Sequence, residues 1–264
     1  MAGLAERGVD LGGAVDVIGT SAGSVVGTWI TSGRDLAQAA ASQADSPPLE
    51  SASGQTPDVA LMTRAFACWA SIESYSPGQG SELGAIAREL DGQFEPFWVE
   101  AMARQLETES WPSALRVSVT DTHSGAISLF GADSAVPLER AVAASCAVPA
   151  VFPTVNIDGC NYMDGAIATG THAQRALERE PEAVLIVATF DERTPGIGGL
   201  MQRELDAEVA GLRDAGVRVA VICPSKRAGE IVRDPMNPAG RPAAVKAGLE
   251  QGRSEAARLE DWQR

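Results

Sequence analysis

Histidine is the scarcest catalytic residue type in this sequence. Only two of the 264 residues are histidines, His123 in a predicted hairpin turn and His172 at the start of a predicted helix. The α/β-hydrolase triad carries its histidine on a loop late in the chain, and no histidine follows residue 172. A serine triad that depends on histidine is therefore disfavoured, and a nucleophilic serine would need another base.

Positive charge is also in short supply. The net charge is −14, from 21 Lys and Arg residues against 35 Asp and Glu residues. We expect no nucleic-acid partner, because binding to phosphate backbones needs basic patches that displace counterions. Electrostatic docking on anionic bilayers is disfavoured for the same reason. The expected lipid interaction is a transient, apolar contact with a membrane surface.

Cysteine clusters and long apolar segments are absent as well. The longest apolar run, residues 183–190, is too short to span a bilayer and predicts a buried strand. The cysteines show no C-x-x-C pair and no histidines at ligand spacing, which argues against a disulfide framework or a zinc site. They are Cys68, Cys146, Cys160 and Cys223. We expect a cytoplasmic protein without a signal peptide, a metal ion or an organic cofactor.

A serine motif near the start of the sequence is the strongest positive signal. Gly19-Thr20-Ser21-Ala22-Gly23 is a G-x-S-x-G element between a short apolar strand and a helix predicted over 22–30. The turn from strand to helix is sharp, so we expect Gly19 and Gly23 to relieve collisions with neighbouring elements. Ser21 would then be exposed at the end of the strand. The helix behind it would direct its free N–H groups at a developing oxyanion.

The order of the predicted elements indicates an α/β fold. After residue 166, helices and strands alternate, which predicts a mostly parallel central sheet with helices on both faces in a single domain, 1–264. Residues 34–111 lack strand signals and are interpreted as a helical insertion. Two alternatives stay open for it, a lid over the serine motif and helices packed on one face of the sheet. Its large aromatic side chains are predicted to belong to the core: Trp69, Phe94, Phe97 and Trp98.

A carboxylate is the candidate base for Ser21. Asp164 ends a short apolar strand, and Gly165 follows it and lets the backbone turn sharply away. A carboxylate held within hydrogen-bond distance of a serine hydroxyl can accept its proton directly. On its own, an Asp-Gly pair is more often simply a turn, so this interpretation depends on the other motifs.

Three motifs together resemble the patatin-like phospholipase family. They are G-T-S-A-G-S at 19–24, A-S-C-A-V-P-A-V-F-P-T-V at 144–155 and D-G-A at 164–166. The resemblance implies a three-layer α/β/α sandwich. It also implies a Ser-Asp catalytic dyad, with Ser21 as the nucleophile and Asp164 as its base. It also implies a lipid or small ester as the substrate. Gly19, Gly23 and Gly165 are the glycines of the matching motifs.

One part of the family pattern is missing from the sequence. The family carries a glycine-rich loop after its first strand, and the backbone N–H groups of that loop form the oxyanion hole. This sequence starts inside what resembles the next helix, and Gly12-Gly13 lies at the wrong end of the sheet to replace the loop. The N–H of Ala22 is the only obvious donor left. We expect the loop to be encoded upstream of Met1 and the present chain to be feebly active or poorly soluble.

The sequence thus favours a serine acyl hydrolase that cleaves lipid or other carboxylic esters through an acyl-enzyme. The substrate's head group and acyl chain, and the oligomeric state, are not specified by any motif. One alternative is an acyltransferase, although the acyl-carrier transacylases pair G-H-S-x-G with a downstream histidine, and Thr20 stands here instead. The other alternative is a catalytically impaired interaction protein, which the missing loop favours.

Overall fold

The structure is a computed structural model that describes residues 1–45, 58–90, 92–191, 193–194, 196–231 and 238–259. The chain divides into two compact units. The first comprises Met1–Val15, Trp29–Pro48 and Ala173–Arg264, and the second comprises Asp16–Thr28 and Leu49–His172. The second unit contains all three motifs that carry the family resemblance.

The chain contains both helices and strands, as expected for an α/β protein. The strands are β1 (Val17–Gly19), β2 (Leu115–Asp121), β3 (Ile127–Gly131), β4 (Val155–Ile157), β5 (Cys160–Asp164), β6 (Ala183–Val187) and β7 (Arg218–Ile222). The α-helices are α1 (Ala2–Ala5), α2 (Ala22–Thr31), α3 (Leu36–Asp45), α4 (Val59–Ala70), α5 (Pro77–Ala87), α6 (Glu95–Leu106), α7 (Leu138–Ser145), α8 (Gly198–Asp214), α9 (Lys226–Ile231) and α10 (Arg241–Leu259). Short 3₁₀ segments are Gly92–Phe94, Gly165–Ile167, Ala173–Arg179 and Pro238–Gly240.

Strand β2 organises the sheet of the second unit. Its first half pairs in parallel with β1, with Gly19 opposite Val117, and its second half pairs antiparallel with β5, with Asp164 opposite Val119. Strand β3 pairs antiparallel with β2, and β4 pairs antiparallel with β5. Because β1 and β5 approach β2 from opposite directions, their carboxyl ends meet beside Ser118. This meeting point brings the serine motif and the Asp-Gly motif together.

A buried ion pair fixes the start of β1 against β2. The guanidinium of Arg116 donates from its Nε to Asp16 Oδ1 at 2.8 Å and from a terminal nitrogen to Asp16 Oδ2 at 2.7 Å. Both side chains are largely buried. Two parallel hydrogen bonds of this kind define an orientation as well as a distance, so they stabilise the register that carries β1 into the serine turn.

Helices α5 and α6 pack into the core of the second unit. The Trp98 ring of α6 stacks on Phe152 with centroids 3.9 Å apart, and its Nε1 donates to the Ala143 carbonyl at 2.9 Å. Gly84 of α5 approaches β2 so closely that a Cβ there would lie 2.1 Å from the Thr122 carbonyl oxygen. These contacts are those expected of helices packed against the sheet. The alternative interpretation of the insertion as a lid stays a prediction.

The described residues of the predicted helical insertion form helices joined by loops. Residues 46–57 and 91 of the 34–111 region lie outside the described residues, and the rest contains no strand. Trp69 and Trp98 are buried as predicted, and Phe94 is half-buried. The prediction for Phe97 is wrong, since 56% of this residue is exposed. Trp98 faces the core, and successive residues of a helix point about 100° apart, which turns Phe97 outward.

The first unit has three layers. Strands β6 and β7 pair in parallel, and their alternate residues point to opposite faces. One face, with Ile186, packs on α8 through Leu205 and Leu212. The other face, with Ala220, packs on Leu4 of α1 and on α10. The strand predicted within 183–190 is therefore present as β6 with helices on both faces, but only Ile186 of β6 is buried, and Val187 is exposed.

The predicted α/β class is confirmed. The parallel pairs are β1–β2 and β6–β7, and the pairs β2–β3, β2–β5 and β4–β5 are antiparallel. A helix was predicted to begin at His172, and residues 173–179 form a 3₁₀ segment there, while α9 lies where no helix was predicted. The single domain over 1–264 stays a prediction. Within the described ranges, no helix is long and apolar enough to cross a membrane.

Candidate active site

Ser21 occupies the turn between β1 and α2 in a strained backbone conformation. Its φ is +52°, in the left-handed region, which costs a non-glycine residue about 1–2 kcal/mol. Two hydrogen bonds to its carbonyl oxygen help to hold this turn, from the backbone N–H of Ser24 at 2.8 Å and from Ser24 Oγ at 2.6 Å. The side chain of Ser21 is thereby lifted out at the end of the strand, as the sequence motif predicts.

The two motif glycines beside Ser21 have different roles. A Cβ on Gly19 would lie 2.5 Å from Ser24 Cα and 2.8 Å from the Gly23 carbonyl oxygen, so the turn leaves no room for a side chain there. A Cβ on Gly23 would meet nothing within 4 Å. The prediction that Gly23 relieves a collision is therefore wrong. This residue lies in the first turn of α2 and is exposed, so a side chain there would extend into open space.

The hydroxyl of Ser21 is in direct contact with Asp164. Ser21 Oγ donates to Asp164 Oδ2 at 2.7 Å, and the other carboxylate oxygen accepts the backbone N–H of Ala166 at 2.8 Å. Asp164 is buried, with 1% of its surface exposed. The two residues are far apart in the sequence, and the end-to-end arrangement of β1 and β5 brings them together.

Burial dominates the electrostatics of Asp164. Loss of hydration raises the pKa of this carboxyl to about 7, although the hydrogen bonds from Ala166 and Ser21 act in the opposite direction. No Lys or Arg among the described residues forms an ion pair with it. A base is most effective when its pKa lies near the working pH. A pKa of about 7 therefore suits Asp164 to accept a proton at neutral pH.

Gly165 is required by close packing on β2. A Cβ at this position would lie 2.3 Å from Ser118 Oγ and 2.5 Å from the Ser118 carbonyl oxygen. The same face of β2 supports both halves of the site. Ser118 Oγ donates to Thr20 Oγ1 at 2.9 Å, and Thr120 Oγ1 donates to the Asp164 carbonyl oxygen at 2.9 Å. These hydroxyl groups satisfy polar atoms that would otherwise be buried without partners.

The end of α7 contacts both Ser21 and Asp164. The backbone N–H of Ser21 donates to Ser145 Oγ at 2.9 Å, and the backbone N–H of Asp164 donates to the Ala147 carbonyl oxygen at 3.0 Å. Sequence reasoning quoted this segment as part of the family resemblance and gave its residues no role. A buried serine within such a motif was the available signal, because burial of a hydroxyl requires a hydrogen-bond partner.

The backbone N–H of Ala22, at the start of α2, is available for a ligand. The N–H of Gly23 donates to the Thr20 carbonyl oxygen and that of Ser24 donates to the Ser21 carbonyl oxygen, both at 2.8 Å. The N–H of Ser21 is occupied by Ser145 Oγ. Ala22 begins the helix, where N–H groups have no intrahelical acceptor. Its N–H has no acceptor within the described part of the chain.

Neither histidine contacts the hydroxyl of Ser21. His172 is buried, and its Nε2 donates to the Gly165 carbonyl oxygen at 2.8 Å, an assignment that follows because a carbonyl oxygen only accepts. His123 lies on the turn between β2 and β3, with its Nδ1 3.4 Å from Thr122 Oγ1. The contact of Ser21 is with a carboxylate.

Within the described residues, neither the cysteines nor the surface cavity of the first unit forms a competing site. All four cysteines are free, and the described residues contain no group of three or more His, Cys, Asp or Glu side chains arranged to hold a metal ion. The first unit has a surface cavity of about 360 Å³ between α1 and the start of α3. Its lining contains no Ser, Thr, Cys, His or Lys side chain, so the candidate active site rests on the Ser21–Asp164 contact.

A comparison with protein families identifies the family of this chain. A model of the patatin-like phospholipase family matches residues 2–177, which is more than half of the chain. The protein belongs to the patatin-like phospholipase family, a family of lipid acyl hydrolases. No curated protein matches the sequence significantly.

Proposed function

We propose that the protein is a serine acyl hydrolase that cleaves carboxylic esters of lipids or small molecules through Ser21 and Asp164. The observation that carries this proposal is the 2.7 Å hydrogen bond from Ser21 Oγ to a buried carboxylate. Membership of a family that acts on lipids supports the substrate class. The strained turn at Ser21 supports its role as the nucleophile, since such strain is concentrated at functional sites.

The first half of the reaction forms an acyl-enzyme. Ser21 Oγ attacks the ester carbonyl carbon while its proton moves to Asp164 Oδ2, and the carbonyl oxygen becomes an oxyanion. The tetrahedral intermediate collapses when the bond to the leaving alkoxide breaks and the protonated Asp164 gives its proton to that alkoxide. The products are an alcohol and an ester of Ser21, and Asp164 is again a carboxylate.

The second half of the reaction repeats the proton transfer with water. A water oxygen attacks the acyl carbon while Asp164 accepts a proton from that water molecule. The bond between the acyl carbon and Ser21 Oγ then breaks, the carboxylic acid is released, and the protonated Asp164 returns its proton to Ser21 Oγ. One carboxylate therefore acts as base and acid in turn, for which a pKa near 7 is suited.

Ala22 is the proposed donor to the oxyanion. Its N–H has no acceptor among the described residues, and the positive end of the α2 dipole favours the same negative charge. A donor of this kind is worth about 10²–10³ in turnover when it is aimed at the developing oxyanion.

The Ser21–Asp164 contact favours an enzyme over the catalytically impaired alternative. A protein retained only for binding has no need of a strained serine hydrogen-bonded to a buried carboxylate, because both features cost stability. An acyltransferase would share the first half of the reaction and differ only in the acceptor.

Turnover of a chromogenic ester tests the proposal. Ser21→Ala should abolish turnover, whereas the exposed Ser42→Ala on α3 should leave it unchanged. Release of free acid in proportion to alcohol supports a hydrolase. Alcohol release that depends on an added acyl acceptor would instead identify a transferase, and equal activity of wild type and Ser21→Ala would contradict both readings.

We also propose that the protein is cytoplasmic and meets lipid surfaces transiently. Four free cysteines and the net charge of −14 support this, since reduced thiols are typical of cytoplasmic proteins and negative charge opposes lasting attachment to anionic bilayers. Co-sedimentation with vesicles should be weak and should not increase when phosphatidylserine replaces phosphatidylcholine. Strong binding to anionic vesicles would contradict the proposal.

A further inference from the structure

We propose that Ser145 is a positioning residue whose hydroxyl holds the backbone of Ser21 in the conformation that presents its side chain to Asp164. This inference rests on the proposed function and adds a residue to it. Ser145 does not touch the reacting atoms. It acts through the main chain of Ser21, to which its Oγ is joined by a 2.9 Å hydrogen bond.

The backbone of Ser21 needs an external contact to stay where it is. A φ of +52° is unfavourable for a residue with a Cβ, and such conformations persist only when the surroundings over-determine them. The hydrogen bonds to the Ser21 carbonyl oxygen come from within the same turn, through Ser24. Among the hydrogen bonds of the Ser21 main chain, the one from its N–H to Ser145 joins it to another element of the second unit.

The same segment also holds the proposed base. The Ala147 carbonyl oxygen, two residues beyond Ser145, accepts the backbone N–H of Asp164 at 3.0 Å. Residues 145–147 therefore form a bracket that contacts the main chain of both proposed reacting residues. Because both contacts belong to one short segment, the bracket sets the distance between Ser21 and Asp164. The contact with Asp164 joins two main-chain atoms, so no flexible side chain intervenes there.

The bracket is held in place by the packing of α7. Ser145 is the last residue of α7 and is fully buried, as are the four residues before it, 141–144. Trp98 donates to the carbonyl oxygen of Ala143 and so fastens α7 two residues before the bracket. A hydroxyl mounted on a packed helix can fix its partner more closely than one on a loop, because the helix has little freedom to follow the strained turn.

The bond to Ser145 has a further consequence for the oxyanion. It keeps the N–H of Ser21 turned toward α7, so this N–H cannot serve as a donor to the substrate. The task of stabilising the oxyanion at this turn is left to Ala22. Loss of the Ser145 hydroxyl would free the Ser21 N–H and allow the turn to relax.

The experiment compares Ser145→Ala with Thr28→Val. Thr28 is equally buried in α2, and its hydroxyl donates to the Ser24 carbonyl oxygen within the same helix, so it matches Ser145 as a lost buried hydroxyl without contacting Ser21. The activity of each variant is divided by the number of sites that a fluorophosphonate titrates. We expect Ser145→Ala to lower kcat per titrated site by about 10–10²-fold at unchanged KM, the range for a slight misplacement of reacting groups. Thr28→Val should keep the wild-type kcat.

Amide hydrogen exchange at Ser21 provides a readout that does not depend on activity. The Ser21 amide should be protected in wild type and in Thr28→Val, and its exchange should accelerate at least about tenfold in Ser145→Ala because its acceptor is lost. Ser145→Thr keeps the hydroxyl and, where it folds, should restore both protection and kcat.

The possible results separate the inference from the function on which it rests. Unchanged Ser21 exchange in Ser145→Ala would overturn the positioning role, and so would a Ser145→Ala protein whose kcat per titrated site equals that of wild type while only its Tm falls. A wild-type protein that hydrolyses no ester would refute the proposed function. In that case the exchange data would still decide whether Ser145 holds the turn.

Discussion

Replacing Asp164 with asparagine should abolish activity and stabilise the protein at alkaline pH. Asparagine has nearly the same shape, so its Oδ1 can accept the Ala166 N–H and its Nδ2 can donate to Ser21 Oγ, which keeps both hydrogen bonds of the carboxylate. An amide cannot accept the proton of Ser21. We therefore expect turnover to fall by about 10²–10⁴-fold, the range for loss of a general base.

The gain in stability follows from the raised pKa. The pKa of Asp164 is about 7 in the folded protein against an ordinary 3.8, so the folded state binds more protons than the unfolded state between these values. The free energy of unfolding then falls as pH rises through this window and stays low above it. A difference of about 3 pKa units corresponds to about 4 kcal/mol at full ionisation, which is the upper bound for what Asp164→Asn gains at pH 8.

Denaturant unfolding at several pH values measures this effect. Wild type should lose stability relative to Asp164→Asn between pH 4 and pH 8, and the two should converge near pH 3. Asp133→Asn removes an exposed carboxylate and should run parallel to wild type. The turnover of wild type should rise with pH and level off above about pH 7, because only the ionised carboxylate is a base. An Asp164→Asn protein that is less stable than wild type at pH 8 would refute this reasoning.

Two further predictions compare matched positions. Gly19→Ala should destabilise the protein and impair turnover, because its Cβ would collide with backbone atoms of α2, whereas Gly23→Ala should be tolerated in stability; thermal unfolding of the pair checks this, and equal losses would contradict the steric argument. His123→Ala and His172→Ala should each retain turnover within about tenfold of wild type, with a lower Tm for the buried His172 variant. Loss of activity in His172→Ala as deep as that in Asp164→Asn would call for a histidine-assisted mechanism.

The sequence predicted the local elements of the site better than the contacts between them. Strand β1, the serine turn and helix α2 follow from residues that are close in the chain, as does the hairpin of β2 and β3. The pairing of β5 with the far half of β2 depends on long-range register, which periodicity does not encode. Only the family resemblance connected Ser21 with Asp164 before the structure brought them together.

Single side chains were harder to predict, because packing depends on neighbours that are distant in sequence. Gly19 and Gly23 look equivalent in the motif, yet only Gly19 is enclosed by backbone. Phe97 and Trp98 look equally apolar, yet the helix turns one outward. The sequence indicates no role for the hydroxyl of Ser145, because its hydrogen-bond partner, the N–H of Ser21, is distant in the chain.

Covalent labelling with a fluorophosphonate tests the central claim most directly. The reagent reacts with serine nucleophiles that have an adjacent base, and tandem mass spectrometry identifies the labelled residue. The account predicts one label per chain, on Ser21, lost in Ser21→Ala and strongly slowed in Asp164→Asn. A label on another serine, or one that forms at the wild-type rate in Asp164→Asn, would contradict it.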